Sequence, residues 1–185
     1  MSLSWDERWQ QKIQKPIPAP DPWLLKQKAF LSGSTAVDLA CGRGRNSLFL
    51  AEQGYQVLGI DASPAALKLL NTATEAQQVK IEVLQYNLEL GLPPHPDKVD
   101  LILSFYFLQR QLFSAIKLKI TPGGLFIGRS FCHLEANQKL SPIIYEPGEL
   151  AHFFDDWEIL VYEEGVDAAE RGGTLAGIVA RKPLA

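Results

Sequence analysis

The stretch from Thr35 to Asp61 runs strand, glycine loop, helix, strand, and few folds accept that order. TAVDLA is short and apolar enough for a buried strand, and YQVLGID is a second. Between them ACGRG leads into RNSLFLAEQG, where Leu48, Leu50 and Ala51 fall at helical spacing and Gly54 closes the helix. Two glycines at a strand-to-helix turn remove the side chains that would hold a ligand away from the backbone.

The alternation continues. SPAALKLLNTATEAQQ reads as a helix, with Ser63 capping its first turn and Pro64 at the first helical position. KIEVLQYN alternates as a third strand with Ile81, Val83 and Leu84 inward, and GLPPHPD is a loop by its prolines. VDLILSF is a fourth strand, apolar almost throughout as a strand covered on both faces should be. A helix from about Leu108 to Leu118 then leads to TPGG, followed by the strand LFIGRSF. Near the C-terminus EPGELAHFF reads as a short helix with Pro147 in its first turn. WEILVYEE and TLAGIVARK read as a hairpin joined through EGVDAAERGG. The pattern predicts an α/β fold: a doubly wound, Rossmann-like, seven-stranded sheet, mostly parallel, with its last strand antiparallel.

A core of this kind can start at residue 35, so residues 1–34 are an addition. A helix around SWDERWQQKI, a PIPAPDP connection and a helix around WLLKQKAFL make them an N-terminal helical lid segment on a single domain of residues 35–185. Trp5 and Trp9 lie four apart on one helix face beside Arg8, where they can close over a ligand or simply pack.

Composition narrows the partners. Eighteen Lys plus Arg against 21 Asp plus Glu give a net charge of −3, with no basic run to hold nucleic acid or an anionic membrane. No apolar run reaches a membrane span, the N-terminus has no secretory apolar core, and only Cys41 and Cys132 occur. A cytoplasmic, reducing location follows as the expectation. His95, His133 and His152 are far apart in sequence and show no metal-ligand spacing, so no metal is expected.

In an open α/β sheet the ligand sits outside the carboxyl ends of the strands, where ACGRG falls. Asp61 ends the second strand nineteen residues beyond Gly42, placed to accept ribose hydroxyls. No GK[ST] follows, which excludes a nucleotide P-loop. The dinucleotide fingerprint is closer, but Ser47 stands at its third glycine, and Asp38 puts an acid inside the first strand. A buried carboxylate is costly without a donor or cation, and it would repel a pyrophosphate. A ligand carrying positive charge and no phosphate fits better; pairing of Asp38 with a structural Arg or a backbone amide is the alternative.

VDLACGRGRNSLFLAEQGYQVLGIDAS resembles the first two motifs of class I S-adenosylmethionine-dependent methyltransferases. GRGRNSLFLA followed by GY.V.G.D is similar to the tellurite-resistance branch, neighbour to the thiopurine methyltransferases. NLE at 87–89, VDLILSFYFL at 99–108, TPGGLFIG at 121–128 and EPGELAHFFDDWEILVYEEGV at 146–166 extend the likeness, and WDERW is common at the start of such enzymes.

The resemblance implies S-adenosylmethionine as cofactor. Ala40, Cys41 and Gly42 would pass under its methionine moiety, and Asp38 would hold the amino group. Asp61 would take the ribose hydroxyls and Ala62 border the adenine. Asn87 would bond the adenine edge with Leu88 packed beside it. Ser104 and Phe105 would face the methionine and open onto an acceptor pocket that Tyr106 helps line. Asn46, like Arg45, would either cap the helix after the loop or touch the ligand. The tellurite branch carries a His-Arg pair before its last strand; Glu170 and Arg171 stand there, so only Arg171 is left to meet an oxyanion.

The implied activity is methyl transfer to a small-molecule acceptor: a chalcogen oxyanion, a thiol or an aromatic metabolite. A noncatalytic S-adenosylmethionine-binding protein acting by interaction is the alternative, followed by a short NAD(P)-binding oxidoreductase.

Overall fold

The computed structural model describes residues 4–12, 15–133, 143–167 and 173–184. They gather into two compact units, Met1–Pro93 and Pro94–Ala185.

The first unit opens with helix α1, Trp5–Gln10, started by a capping box: the Glu7 amide donates to Ser4 Oγ and the Ser4 amide to Glu7 Oε2. Helix α2, Pro22–Lys26, has Pro22 in its first turn and Asp21 as its cap, whose Oδ1 accepts from the Trp23 amide. Three parallel strands follow with their helices between them: β1 Thr35–Leu39, α3 Arg45–Glu52, β2 Gln56–Asp61, α4 Pro64–Gln77 and β3 Ile81–Gln85. Asp38 pairs with Gly59 and Asp61 with Gln85 in the parallel registers. Strand β1 is buried along most of its length, whereas β3 is at best half-buried.

The second unit holds β4 Val99–Phe105, helix α5 Phe113–Lys119, β5 Ile120–Cys132, helix α6 Glu149–His152, β6 Glu158–Asp167 and β7 Thr174–Arg181. Strands β4 and β5 are parallel, while β7 is antiparallel to both β5 and β6. The strand order is β3-β2-β1-β4-β5-β7-β6. The seven-stranded, mostly parallel sheet with an antiparallel last strand is therefore the one the sequence predicts. Leu101, Ile102 and Leu103 of β4 and Leu125, Phe126 and Ile127 of β5 are essentially inaccessible, so their contacts carry much of this unit's hydrophobic stabilisation. Phe126 and Phe154 stack at 4.6 Å and Phe113 lies face to face with Phe153 at 3.9 Å.

Two boundaries differ from the sequence reading. TPGG lies within β5, not before it. Pairing passes from Val99↔Ile120 to Leu101↔Leu125, so β5 advances five residues while β4 advances two, and the excess bulges from an unbroken strand. The expected helix from Leu108 begins with a 3-10 turn at Arg110–Leu112 and is α-helical only from Phe113. The loop expected after β6 falls partly outside the described residues; β6 itself runs on to Asp167. No helix among the described residues is long and apolar enough to cross a membrane.

Candidate functional site

The turn after β1 is tightly wound. Ala40 takes φ +52°, Gly42 +58° and Gly44 +78°. The positive φ at Ala40 costs a residue with a Cβ roughly 1–2 kcal/mol, and such strain gathers at ligand-binding turns. The Cys41 amide donates to the Ile60 carbonyl and the Gly44 amide to the Cys41 carbonyl, fixing the loop to β2 and to itself. Gly44 has no room for a side chain: a Cβ there would lie 2.2 Å from Leu70 Cδ1 of α4.

Asp61 organises this turn. Its Oδ2 accepts from the Gly42 amide at 2.8 Å and its Oδ1 from the Ser63 amide at 2.9 Å. Burial raises its pKa, and the Ser63, Gly42 and Ala62 amides work against that rise. Each carboxylate oxygen can accept more than one hydrogen bond, so ribose hydroxyls can still be met. The sequence reading gave Asp61 no structural duty; the structure makes it the clamp that sets the glycine loop against the start of α4.

Asp38 is 2% exposed in the middle of the sheet. Burial lifts its pKa to about 7, Asp61 adds to the rise, and Arg45 opposes it. Its hydrogen-bond partner is Ser47, whose hydroxyl donates to Oδ2 at 2.6 Å. Two departures from the dinucleotide fingerprint thus explain each other, because a glycine at 47 would leave the buried acid without this donor. The coexistence of an acid inside β1 and a hydroxyl in the first turn of α3 was the available signal for Ser47. Cys41, beside both acids, has its thiol pushed well above the usual range by burial and by Asp38 and Asp61. That suppresses a nucleophilic thiolate and leaves Cys41 a small packing residue.

Asn46 is buried, and its Oδ1 accepts from the Asp21 amide at 2.9 Å. Arg45 donates to the Asp21 carboxylate at 2.9 Å. Both residues therefore tie the loop helix to the N-terminal segment. Ala62 is exposed at the end of β2. Asn87 is exposed and caps a 3-10 turn through the Glu89 amide, while Leu88 is buried.

Helix α1 lies on this loop. A Cβ on Gly42 would stand 2.7 Å from Cζ2 of Trp9, so the indole covers the loop at the point where it lacks a side chain. Arg43 donates to the Lys15 and Lys12 carbonyls. Asp6, which the sequence reading passed over, accepts from the Ser63 hydroxyl and the Ala65 amide at the start of α4. Those bonds hold its carboxyl below its ordinary pKa. Trp5 instead is 64% exposed, with the Arg8 guanidinium 5.0 Å from its ring centre. Of the three N-terminal candidates, Trp9 is the one seen against Gly42.

In the second unit Ser104 and Phe105 end β4 and are buried. The Ser104 hydroxyl donates to the Phe107 carbonyl at 3.1 Å, closing the turn after the strand. Tyr106 follows at φ +57°, its ring 5.7 Å from that of Phe131. Glu170 and Arg171 lie outside the described residues.

The strand order, the glycine loop after β1 and the acid at the end of β2 define a class I methyltransferase fold. The family described as Tellurite resistance protein TehB matches residues 24–174, and the chain belongs to that family. The "Probable S-adenosyl-L-methionine-dependent methyltransferase TehB" of Haemophilus influenzae is 26% identical over 146 residues, 74% of this chain and 50% of its own length. "Hemagglutinin 1" of Eikenella corrodens is 29% identical over 142 residues, covering 70% of this chain and 46% of that protein. The chain thus spans about half the length of these curated relatives. The crystal structure of TehB from Haemophilus influenzae superposes with a TM-score of 0.75 at 23% identity, over 92% of this chain and 65% of that one.

Proposed function

We propose that this chain is an S-adenosylmethionine-dependent methyltransferase acting on a small-molecule acceptor. The observation that carries the reading is the buried Asp38, held by Ser47, with a second buried acid, Asp61, two positions beyond its partner Gly59 on the neighbouring strand. A pyrophosphate would meet two carboxylates there, at a repulsive cost that burial magnifies. A cofactor whose amino acid end carries an ammonium turns the same acids into partners. In this reading Asp38 receives the ammonium, Asp61 the ribose hydroxyls, and Ala62, Asn87 and Leu88 the adenine.

When bound, the cofactor supplies an electrophilic methyl group on a sulfonium. The protein's part is to hold acceptor and methyl in line and to exclude water. Trp9, seated on Gly42, gives the N-terminal segment a means of closing the loop side of that site.

S-adenosylmethionine and S-adenosylhomocysteine should raise the melting temperature, and NAD and NADP should not. Ligand at 100 times its dissociation constant adds about 2.7 kcal/mol, well within detection. Stabilisation by NADP alone refutes the reading. The Eikenella relative's name gives an interaction role some support as a second reading, in which the cofactor binds without turnover. Methylated product from a panel of thiols, phenols and chalcogen oxyanions separates the two.

A further inference from the structure

We infer that Ser47 is a positioning residue for the cofactor: its hydroxyl aims the Asp38 carboxylate and favours its charged form, so that the ammonium of S-adenosylmethionine meets a charge. The inference rests on the reading above in which Asp38 receives that ammonium.

Ser47 stands in the first turn of α3 and is wholly inaccessible to solvent. A serine inside a helix commonly turns its hydroxyl back to a carbonyl one turn earlier. Ser47 donates instead to Asp38 Oδ2, nine positions away in the chain, at 2.6 Å. A hydroxyl bonded to a carboxylate takes about 2.5–2.7 Å, shorter than a bond between two neutral groups. The geometry is that of a donor on a charged acceptor.

The fold clears room for this bond. Gly59 pairs with Asp38 on the neighbouring strand β2. A Cβ at Gly59 would lie 3.1 Å from Cys41 Sγ, 3.2 Å from Leu70 Cδ2 and 3.6 Å from Ser47 Oγ. Ser47 thus approaches the acid where β2 has no side chain.

The groups around Asp38 pull in opposite directions. Burial drives it toward the neutral form and sets its carboxyl at about 7, and the repulsion of Asp61 at the end of β2 adds to the rise. The Ser47 hydroxyl is the strongest influence the other way, ahead of Arg45 in the same turn of α3. The Cys41 thiol of the loop is kept neutral by burial and by both acids, and α4 brings only the uncharged Leu70 to Gly59. Without the hydroxyl, Asp38 would present a proton to an ammonium and no charge. Each carboxylate oxygen accepts more than one hydrogen bond, so Ser47 and the ammonium can share the group.

A hydrogen bond to a charged group moves a carboxyl by about 1–2 pH units. Carbon-detected spectra of the ligand-free full chain, with the Asp38 signal assigned by its loss in Asp38→Asn, should therefore show that carboxyl titrating about 1–2 units higher in Ser47→Ala. Titration calorimetry with S-adenosylhomocysteine gives the second readout. Ser47→Ala should bind about 5–50-fold more weakly at pH 7, where fewer of its Asp38 groups are charged, and the gap should close to about twofold or less at pH 9. Ser47→Cys, close in size and a weaker donor, should fall between the two chains, and it carries the test if Ser47→Ala is too unstable to titrate. A merely structural loss would weaken binding by one factor at every pH. A constant ratio across the range, or an Asp38 signal that titrates alike in the chains, overturns the inference while cofactor binding stands. If the wild type binds no S-adenosylhomocysteine at any pH, the cofactor reading itself falls and takes the inference with it.

Discussion

Replacing Asp38 by Asn should stabilise the ligand-free protein in alkaline solution while weakening its hold on the cofactor. The carboxyl titrates near 3.8 without its surroundings and at about 7 in the folded chain, principally because burial disfavours the charge. The folded state therefore binds more protons than the unfolded state between those values, and stability falls as pH rises through that window. At about 1.36 kcal/mol per pH unit, the gap between 3.8 and about 7 amounts to about 4 kcal/mol, fully present below pH 4 and lost above pH 7. Asparagine has no proton to lose, and its amide oxygen can still accept from Ser47.

Urea unfolding at pH 4, 6 and 8 should thus show the two chains nearly equal at pH 4 and Asp38→Asn the more stable at pH 8, by up to about 4 kcal/mol. Asp61, whose pKa is also raised by burial, is common to both chains and largely cancels in the comparison. Binding gives a second readout. A cationic ligand at Asp38 favours the carboxylate, so at pH 7 the wild type should release about half a proton on binding S-adenosylhomocysteine. Titration calorimetry in two buffers of different ionisation enthalpy measures that release, and the variant should show none from this site. Parallel stability curves for the two chains, or identical proton release, refute the assignment.

Other expectations follow from the same loop. Asp61→Ala should weaken S-adenosylhomocysteine binding by about 1.5–3 kcal/mol; it should also lower the melting temperature, because the Gly42 and Ser63 amides lose their acceptor. Unchanged affinity in calorimetry rules out the ribose role. Gly42→Ala should cost about 1–2 kcal/mol in backbone strain alone and drive Trp9 off the loop, since its Cβ would sit 2.7 Å from the indole; an unaltered tryptophan emission spectrum would contradict the contact. Asp6→Ala should free α1 from α4 and speed cleavage near Lys12 and Lys15, and in the wild type S-adenosylhomocysteine should slow the same cleavage. Cleavage indifferent to both changes denies any coupling of the segment to the site.

Strands β1, β2 and β4 could be located in advance because glycine or proline precedes each and their interiors are nearly all apolar, and β3 because its residues alternate. TPGG misled for a physical reason: proline and glycine mark a turn and a bulge alike, and only the register with β4 distinguishes them. In the candidate site, spacing and the cost of burying charge were enough to single out Asp38, Gly42 and Asp61 for the proposal. Their partners escaped both signals. Asn46 meets the Asp21 amide 25 positions earlier, and Asp6 meets Ser63 57 positions later; no local pattern encodes such distances.

The N-terminal segment and the cofactor loop are better understood as one device than as a lid laid on a finished site. The bonds that Asp6, Asp21 and the carbonyls after α1 make outside the segment end on the loop or on a helix beside it. Asp6 binds the first turn of α4, whose Ser63 amide is also held by Asp61. Arg43 is a loop residue that reaches the carbonyls after α1, and Asp21 joins Arg45 and Asn46 at the start of α3. A ligand that draws on Asp61 or Asp38 therefore acts on groups that also fix the segment, and the effect is reciprocal by thermodynamic necessity. Whatever free energy the docked α1 adds to cofactor binding, the bound cofactor adds to the docking of α1. The short length of α1, six residues, makes that docking marginal on its own, and a marginal element is the kind whose population a ligand can shift.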